Sequence, residues 1–207
     1  MKKINLAVLL SGSGTTLQNL IDRIDEGLLP ARIVLVLSSN EKAYGLQRAK
    51  NAGIEAYSVP KKKYNSSIEF NDALYKYIDS YQVDLIILAG FMSIFRIEDR
   101  FKNRVINVHP ALIPAFCGKG FYGEKVHRSV IETGVKITGC TVHFADDEYD
   151  HGPIILQKPV DVLESDTPET LAHRVQEYER IALVEAVRLF AEERLVVEGQ
   201  KVRILTE

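Results

Sequence analysis

Cysteine is scarce in this chain. Its two cysteines, Cys117 and Cys140, form no CxxC pair, which excludes a disulfide framework and predicts reduced thiols in a reducing, cytoplasmic compartment. Neither sign of charge is in excess: 26 Lys and Arg stand against 28 Asp and Glu, a net charge of -2. That balance gives no electrostatic case for a nucleic-acid partner. Long apolar runs are missing too, since none approaches the ~20 residues that span a bilayer, so no membrane partner is expected. Nor is a secretory leader, because after Met1-Lys2-Lys3 the apolar run Leu6 to Leu10 ends at once in Ser11-Gly12-Ser13-Gly14. Internal repeats, low-complexity stretches and His/Cys/Asp clusters with metal-ligand spacing are absent from the sequence, and no metal is expected. What remains is ordinary globular composition, 46% hydrophobic and 26% charged. At roughly 150 residues per domain the length suits one domain or two tightly joined halves, enough to bury a core without disulfides or metals.

The first half alternates apolar runs with amphipathic stretches. Asn5–Leu10, Ile33–Leu37, Ile54–Val59 and Val83–Ala89 read as strands; Thr15–Leu28, Ala43–Ala52 and Ile68–Tyr81 read as helices. Leu17, Leu20, Ile21 and Ile24 fall on one helix face, and Gly53 stands where a helix C-terminus favours glycine. This alternation predicts an α/β fold with a mostly parallel central sheet flanked by helices. The near-continuous hydrophobicity of its strands fits burial on both faces. The second half differs. Arg104–His109 is a fifth strand, followed by a Gly-rich loop from Pro110 to Gly123 and a helix to about Thr133. Thr138–Ala145 and Pro153–Val162 read as an antiparallel pair, Thr167–Glu193 as a long helix with Pro168 at its first position, and Leu195–Val197 with Val202–Leu205 as a hairpin. These last elements form a mixed C-terminal extension.

Ser11-Gly12-Ser13-Gly14-Thr15-Thr16 lies between the first strand and the first helix. Ligands of open α/β sheets bind beyond the carboxyl ends of strands. There, glycines let backbone N–H groups approach an anion, and the helix N-terminus favours negative charge. A phosphate grip and a plain tight turn both fit this pattern. Two nucleotide motifs do not. The dinucleotide fingerprint needs a small residue where Leu17 stands and an acid where Ser38-Ser39-Asn40 stands, and the P-loop lysine is missing. A phosphate monoester on a small sugar fits better.

Asn107 and His109 alternate onto one strand face, about 6.5–7 Å apart by strand rise, and Pro110 closes the strand. An amide donor and an imidazole at a strand's carboxyl end could polarise a carbonyl; spacing alone favours a hydrogen-bonded core pair slightly. In the acidic turn Asp146-Asp147-Glu148-Tyr149-Asp150-His151-Gly152, nothing in composition selects an acid that would orient His109. His127 and His143 are further candidates, His143 being as compatible with a structural role. No GxSxG elbow accompanies Ser11 or Ser13, which argues against serine hydrolysis.

Five segments carry a family resemblance: Ser11-Gly12-Ser13-Gly14-Thr15, Leu88-Ala89-Gly90-Phe91-Met92, Asn107-Val108-His109-Pro110-Ala111-Leu112-Ile113-Pro114, Gly139-Cys140-Thr141-Val142-His143-Phe144, and Asp150-His151-Gly152-Pro153-Ile154-Ile155 with Gln157. In this order, over nearly the whole chain, they resemble the folate-dependent phosphoribosylglycinamide formyltransferases. The resemblance implies a Rossmann-like formyltransferase fold as a single domain over 1–207. Within it, 1–103 would be a phosphate-binding half and 104–207 a catalytic and folate-binding half. It implies transfer of the formyl group of 10-formyltetrahydrofolate, a co-substrate, to the amine of phosphoribosylglycinamide in purine biosynthesis.

By the same resemblance Asn107, His109 and Asp150 are the catalytic set, with Asp150 pairing a protonated His109. Gly12, Ser13, Gly14 and Thr15 would grip the substrate phosphate. Met92, Ser93, Ile94 and Phe95, with Asn107, would contact the folate, and Gln176 and Glu179 would lie near the glycinamide. Two departures stand out: Ser93 replaces an Arg common in the family, and Ser66-Ser67 stand where a basic residue often meets the folate. Arg96 is a substitute cation, whereas Lys61-Lys62-Lys63 reads as a solvated loop. The 116–123 loop reads as a mobile lid. Small-molecule substrates are the expected partners, and a homodimer is compatible with the reading. The alternatives are a formyltetrahydrofolate deformylase-like hydrolase and a non-catalytic sugar-phosphate-binding protein. The extra domains usual in the deformylase and in methionyl-tRNA formyltransferase find no room in 207 residues.

Overall fold

A computed structural model describes residues 3–206; Met1 and Lys2 of the basic start, and Glu207, lie outside the described residues. The chain divides into two compact units, Met1–Ile106 and Asn107–Glu207.

In the first unit β1 (Ile4–Leu10) pairs in parallel with β2 (Ala31–Ser38) on one side and β4 (Leu85–Leu88) on the other, and β3 (Ala56–Ser58) extends β2, also in parallel. Leu6 to Leu10 and Leu85 to Ile87 are fully buried, the signature of strands covered on both faces. The connecting helices are α1 (Thr15–Asp25), α2 (Tyr44–Asn51) and α3 (Ser67–Ile78). Ser66 caps α3 by accepting from Glu69 N, while Glu69 accepts from Asn65 N. Ser66, one of the two serines where the resemblance leads one to expect a basic residue, is thus spent on a helix cap.

The second unit holds β5 (Val105–His109) past the dividing point, then β6 (Ile137–Phe144), β7 (Ile154–Asp161), β9 (Lys201–Ile204) and β8 (Leu195–Glu198) in that sheet order. β6 and β7 are antiparallel, as are β8 and β9. The fold is α/β, with a mostly parallel sheet and antiparallel C-terminal strands, as expected. α4 (Glu124–Thr133) ends at Gly134 in the left-handed region, and α5 (Pro168–Ala191) packs on β6 and β7. Thr167 and Thr170 close a reciprocal capping box, with Pro168 in the first turn of α5.

Several boundaries differ from the sequence expectation for a shared reason. α1 stops at Asp25 rather than Leu28 because Gly27 turns left-handed (φ +74) and Leu28 N donates to Arg23 O. α5 stops at Ala191 because Glu193 takes the same conformation at φ +55, with Arg194 N on Leu189 O. Past α2, Ile54 N caps Ala49 O, so β3 begins only at Ala56 instead of Ile54. These are Schellman-type ends, which satisfy the last carbonyls of a helix. Lys61–Lys63, expected as loop, form one 3-10 turn in which Lys62 and Lys63 pair with Glu41.

The entry to α5 carries an acid-sensitive anchor. Asp166 takes both terminal nitrogens of Arg174, each at 2.7 Å, and also Leu163 N and Thr170 Oγ1. The Arg174 guanidinium holds its carboxyl well below the usual carboxylate range. A folded-state value below the unfolded one stabilises the protein above the ordinary value of 3.8 and is lost as pH falls through the lower one. Asp166→Asn is expected to cost about 2 kcal/mol at pH 7, or roughly 4–8 °C in Tm for a chain of this size. Thermal melts at pH 7 and pH 3 check this (both set by the ordinary carboxylate range): the gap between variant and parent should shrink at the lower pH, and a constant gap would show that charge is not the cause.

Candidate active site

Three polar side chains meet at the end of β5. Asn107 and His109 do share a face, because both reach Asp150, which arrives from the turn after β6. Asp150 Oδ2 lies 3.4 Å from His109 Nδ1, and Asp150 Oδ1 accepts from Asn107 Nδ2 at 3.3 Å. Little of the cluster is exposed, with side-chain exposures of 5% for His109 and 10% for Asp150. Low dielectric strengthens each of these interactions. Asp150 holds φ +52, strained for a residue with a Cβ, and Gly118 N donates to its Oδ2 at 2.9 Å. The other nitrogen of His109, Nε2, lies 2.8 Å from the carbonyl oxygen of Phe116, itself at φ +51. Both ring nitrogens therefore face oxygen acceptors, an arrangement an imidazolium satisfies.

His143, on β6, is 1% exposed and orients Asn107. Its Nδ1 meets Phe144 O at 3.0 Å, so that nitrogen carries the proton, and Nε2 is left to accept from Asn107 Nδ2 at 3.2 Å. Burial pushes the His143 ring below its ordinary value, consistent with this neutral tautomer. Two residues earlier on β6, Thr141 accepts from Ile113 N and Gln157 Nε2 and donates to Ala111 O. These bonds pin the base of the 110–123 loop. His127 on α4 is buried with no partner for its Nδ1, and burial followed by the charge of His109 lowers its value.

In the first unit, Gly14 begins α1 at φ +72 with no side-chain cap, so the first N–H groups of the helix are not claimed by a capping oxygen. Ser11 binds Ser39 through its hydroxyl and accepts from Met92 N at 2.8 Å. The start of the 92–95 segment is thereby fixed beside the turn. Met92 and Ile94 are exposed while Ser93 and Phe95 are buried, Phe95 against Tyr75. Asn71 bonds Ile94 O and Arg96 N. Arg96, expected as a substitute cation, pairs with Asp72 at 2.9 Å.

The formyl transferase family profile matches residues 4–187. The chain belongs to the formyl transferase family. It is 40% identical to a phosphoribosylglycinamide formyltransferase of Haemophilus influenzae over 94% of this chain and 90% of that one. To the trifunctional purine biosynthetic protein adenosine-3 of Gallus gallus it is 41% identical over 91% of its own length, but it spans only 18% of that protein. Glycinamide ribonucleotide transformylase 1 from Symbiobacterium toebii superposes with a TM-score of 0.91 at 46% identity, covering 99% of this chain and 95% of that one. The family resemblance read from the motifs is borne out.

Other residues of this formyl transferase family member sit as follows. On α5 Gln176 is exposed and Glu179 half-buried. Burial pushes the Glu179 carboxyl up to about 7, with Arg180 pulling the other way. Burial, then the charge of Glu179, takes the Cys140 thiol to about 12. Of the acids in the 146–152 turn, Asp146 is drawn to His151 Nδ1 at 2.6 Å, and Asp150 is the one whose carboxylate reaches His109. Among the described residues no group of three or more His, Cys, Asp or Glu is arranged to hold a metal ion, and no helix is long and apolar enough to cross a membrane. Sequence reasoning missed the orienting role of His143 and the backbone of Phe116 and Gly118. The strand periodicity of Thr141 and His143 carried a signal for the first; backbone groups carry none.

Proposed function

We propose that the protein transfers the formyl group of 10-formyltetrahydrofolate to the amine of phosphoribosylglycinamide, yielding the N-formyl product and tetrahydrofolate in purine biosynthesis. The joining of Asn107, His109 and Asp150 into one close cluster carries this reading, and the high-coverage relatives support the substrate class. The amine nitrogen attacks the formyl carbon, whose oxygen becomes an oxyanion. His109 Nε2–H stabilises that charge as it develops, together with the Asn107 amide, which turns one N–H from its long 3.3 Å bond to Asp150 Oδ1 onto the oxyanion. The proton shed by the attacking nitrogen passes, through a water held by Asp150, to the departing folate nitrogen as its bond to the formyl carbon breaks. Asp150 also lies 3.4 Å from His109 Nδ1 and orients the ring. Gly12, Ser13, Gly14 and Thr15 bind the phosphate, Met92 to Phe95 with Asn107 bind the folate, and Gln176 and Glu179 stand by the glycinamide.

In the structure Phe116 O takes the bond of His109 Nε2 that the oxyanion requires. The 116–123 segment is therefore the lid of the proposed cycle and withdraws when the formyl oxygen arrives. A cytoplasmic setting agrees with two free cysteines.

Purified protein should convert 10-formyltetrahydrofolate to tetrahydrofolate, followed by folate absorbance, only when phosphoribosylglycinamide is added. Equal turnover without the amine would replace the transferase with a deformylase-like hydrolase. No turnover in either case, with the ribonucleotide still bound, would leave a sugar-phosphate-binding protein.

A further inference from the structure

Two carbonyls of the glycine turn point at α2. Gly12 O accepts from Gly45 N at 3.1 Å, and Ser13 O accepts from Arg48 Nε at 2.9 Å. In a planar trans peptide the N–H points opposite the C=O. Fixing these two carbonyls on α2 therefore aims the N–H groups of Ser13 and Gly14 away from it, as two successive donors of an anion-binding nest. Arg48 is itself held in place: its Nη1 donates to Gln18 Oε1 at 3.1 Å on α1, and its guanidinium lies 5.1 Å over the Tyr44 ring. The fit leaves no slack. A Cβ on Gly14 would come within 2.6 Å of Gly45 Cα, and one on Gly45 within 2.6 Å of a Leu10 methyl. The turn and α2 thus touch backbone to backbone, with Arg48 clamping the joint.

We propose that Arg48 is a positioning residue that sets the acceptor's 5′-phosphate specificity by locking the Ser13 and Gly14 N–H donors onto that group. The inference rests on the turn's phosphate role in the proposed function and adds a residue outside the turn. Arg48 acts through the Ser13 carbonyl and adds a guanidinium charge behind the nest; it takes no part in bond making. A lysine cannot hold Ser13 O and Gln18 Oε1 together as the planar fork does.

The test compares phosphoribosylglycinamide with its 5′-dephosphorylated riboside as formyl acceptors, for the parent protein and for Arg48→Met, Arg48→Lys and Gln18→Met. Arg48→Met is expected to raise KM for the phosphorylated acceptor about tenfold, as loss of a charged hydrogen bond does. Its kcat, and its efficiency with the riboside, should match the parent. Arg48→Lys should recover only part of the loss. Gln18→Met, which frees the guanidinium without removing it, should raise the same KM about threefold and keeps the test decisive if Arg48→Met fails to fold. Parent-like KM in a folded Arg48→Met or in Gln18→Met overturns the inference, as does full recovery by Arg48→Lys, which would reduce the effect to charge. A parent protein that uses both acceptors equally well would instead overturn the phosphate role of the turn, and this inference with it.

Discussion

His109→Ala is expected to leave a folded protein whose kcat for formyl transfer is lower by about 10² to 10³, the usual cost of removing one donor aimed at a developing oxyanion, and Asp150→Asn one lower by about 10² to 10⁴, the usual contribution of a positioned proton-transfer group. Asp150→Asn is the sharper test, since it keeps the shape and leaves an oxygen for Gly118 N, which donates to Asp150 Oδ2 at 2.9 Å. What it removes is the negative charge 3.4 Å from His109 Nδ1, the Oδ1 acceptor of the Asn107 amide and the base that holds the relaying water. KM for both substrates should change little, because these groups act on charge that appears only as the bond forms. The double variant should lose far less than the product of the single losses, since both residues serve the same proton and the same oxyanion. Steady-state kinetics with thermal melts on each variant would decide. Parent-like kcat in a folded variant would remove that residue from the mechanism.

The parts of this molecule legible in the sequence follow from local physics. Leu6 to Leu10 read as a strand because burial on both faces demands a continuous apolar run. Leu17, Leu20 and Ile21 read as a helix face because all three are buried on one side of α1. Helix ends were read less well, and for one cause: Gly27 and Glu193 stop their helices by turning left-handed, and a glutamate gives no compositional warning of that. The proposed catalytic cluster is legible in the sequence only by halves. Strand alternation places Asn107 and His109 on one face, but the carboxylate that joins them comes from a turn 41 residues beyond His109 by the numbering. Among Asp146, Asp147, Glu148 and Asp150, composition prefers none; family resemblance chose Asp150. The contacts of Phe116 O and Gly118 N belong to the backbone, and no residue type announces them.

Gly152→Ala is expected to damage stability and turnover together, because Gly152 is the close contact behind Asp150. A Cβ there would lie 2.0 Å from Phe144 O and 3.0 Å from Phe144 C. Both are backbone atoms of β6, so no side chain can swing aside. Just beyond, Phe144 N donates to Pro153 O at 2.9 Å, and the β6–β7 register shifts between Val142 and His143. An added methyl must push the 150–152 turn off β6, and Asp150, already at φ +52, moves with it. Overpacking of this kind costs about 2–3 kcal/mol, or a Tm lower by roughly 5–10 °C. A displacement of about 1 Å in a catalytic group can cost about 10²-fold in rate. Gly199→Ala is the control for an added methyl alone: Gly199, unlike Gly152, is left-handed, at φ +62, and a Cβ there meets nothing within 4 Å. It should lose about 1 kcal/mol of stability and no turnover. If Gly152→Ala melts early yet keeps the parent kcat, close packing on β6 supports the fold without setting the position of Asp150; loss of turnover well beyond that of Gly199→Ala would show that the missing side chain at 152 is what lets the carboxylate reach His109.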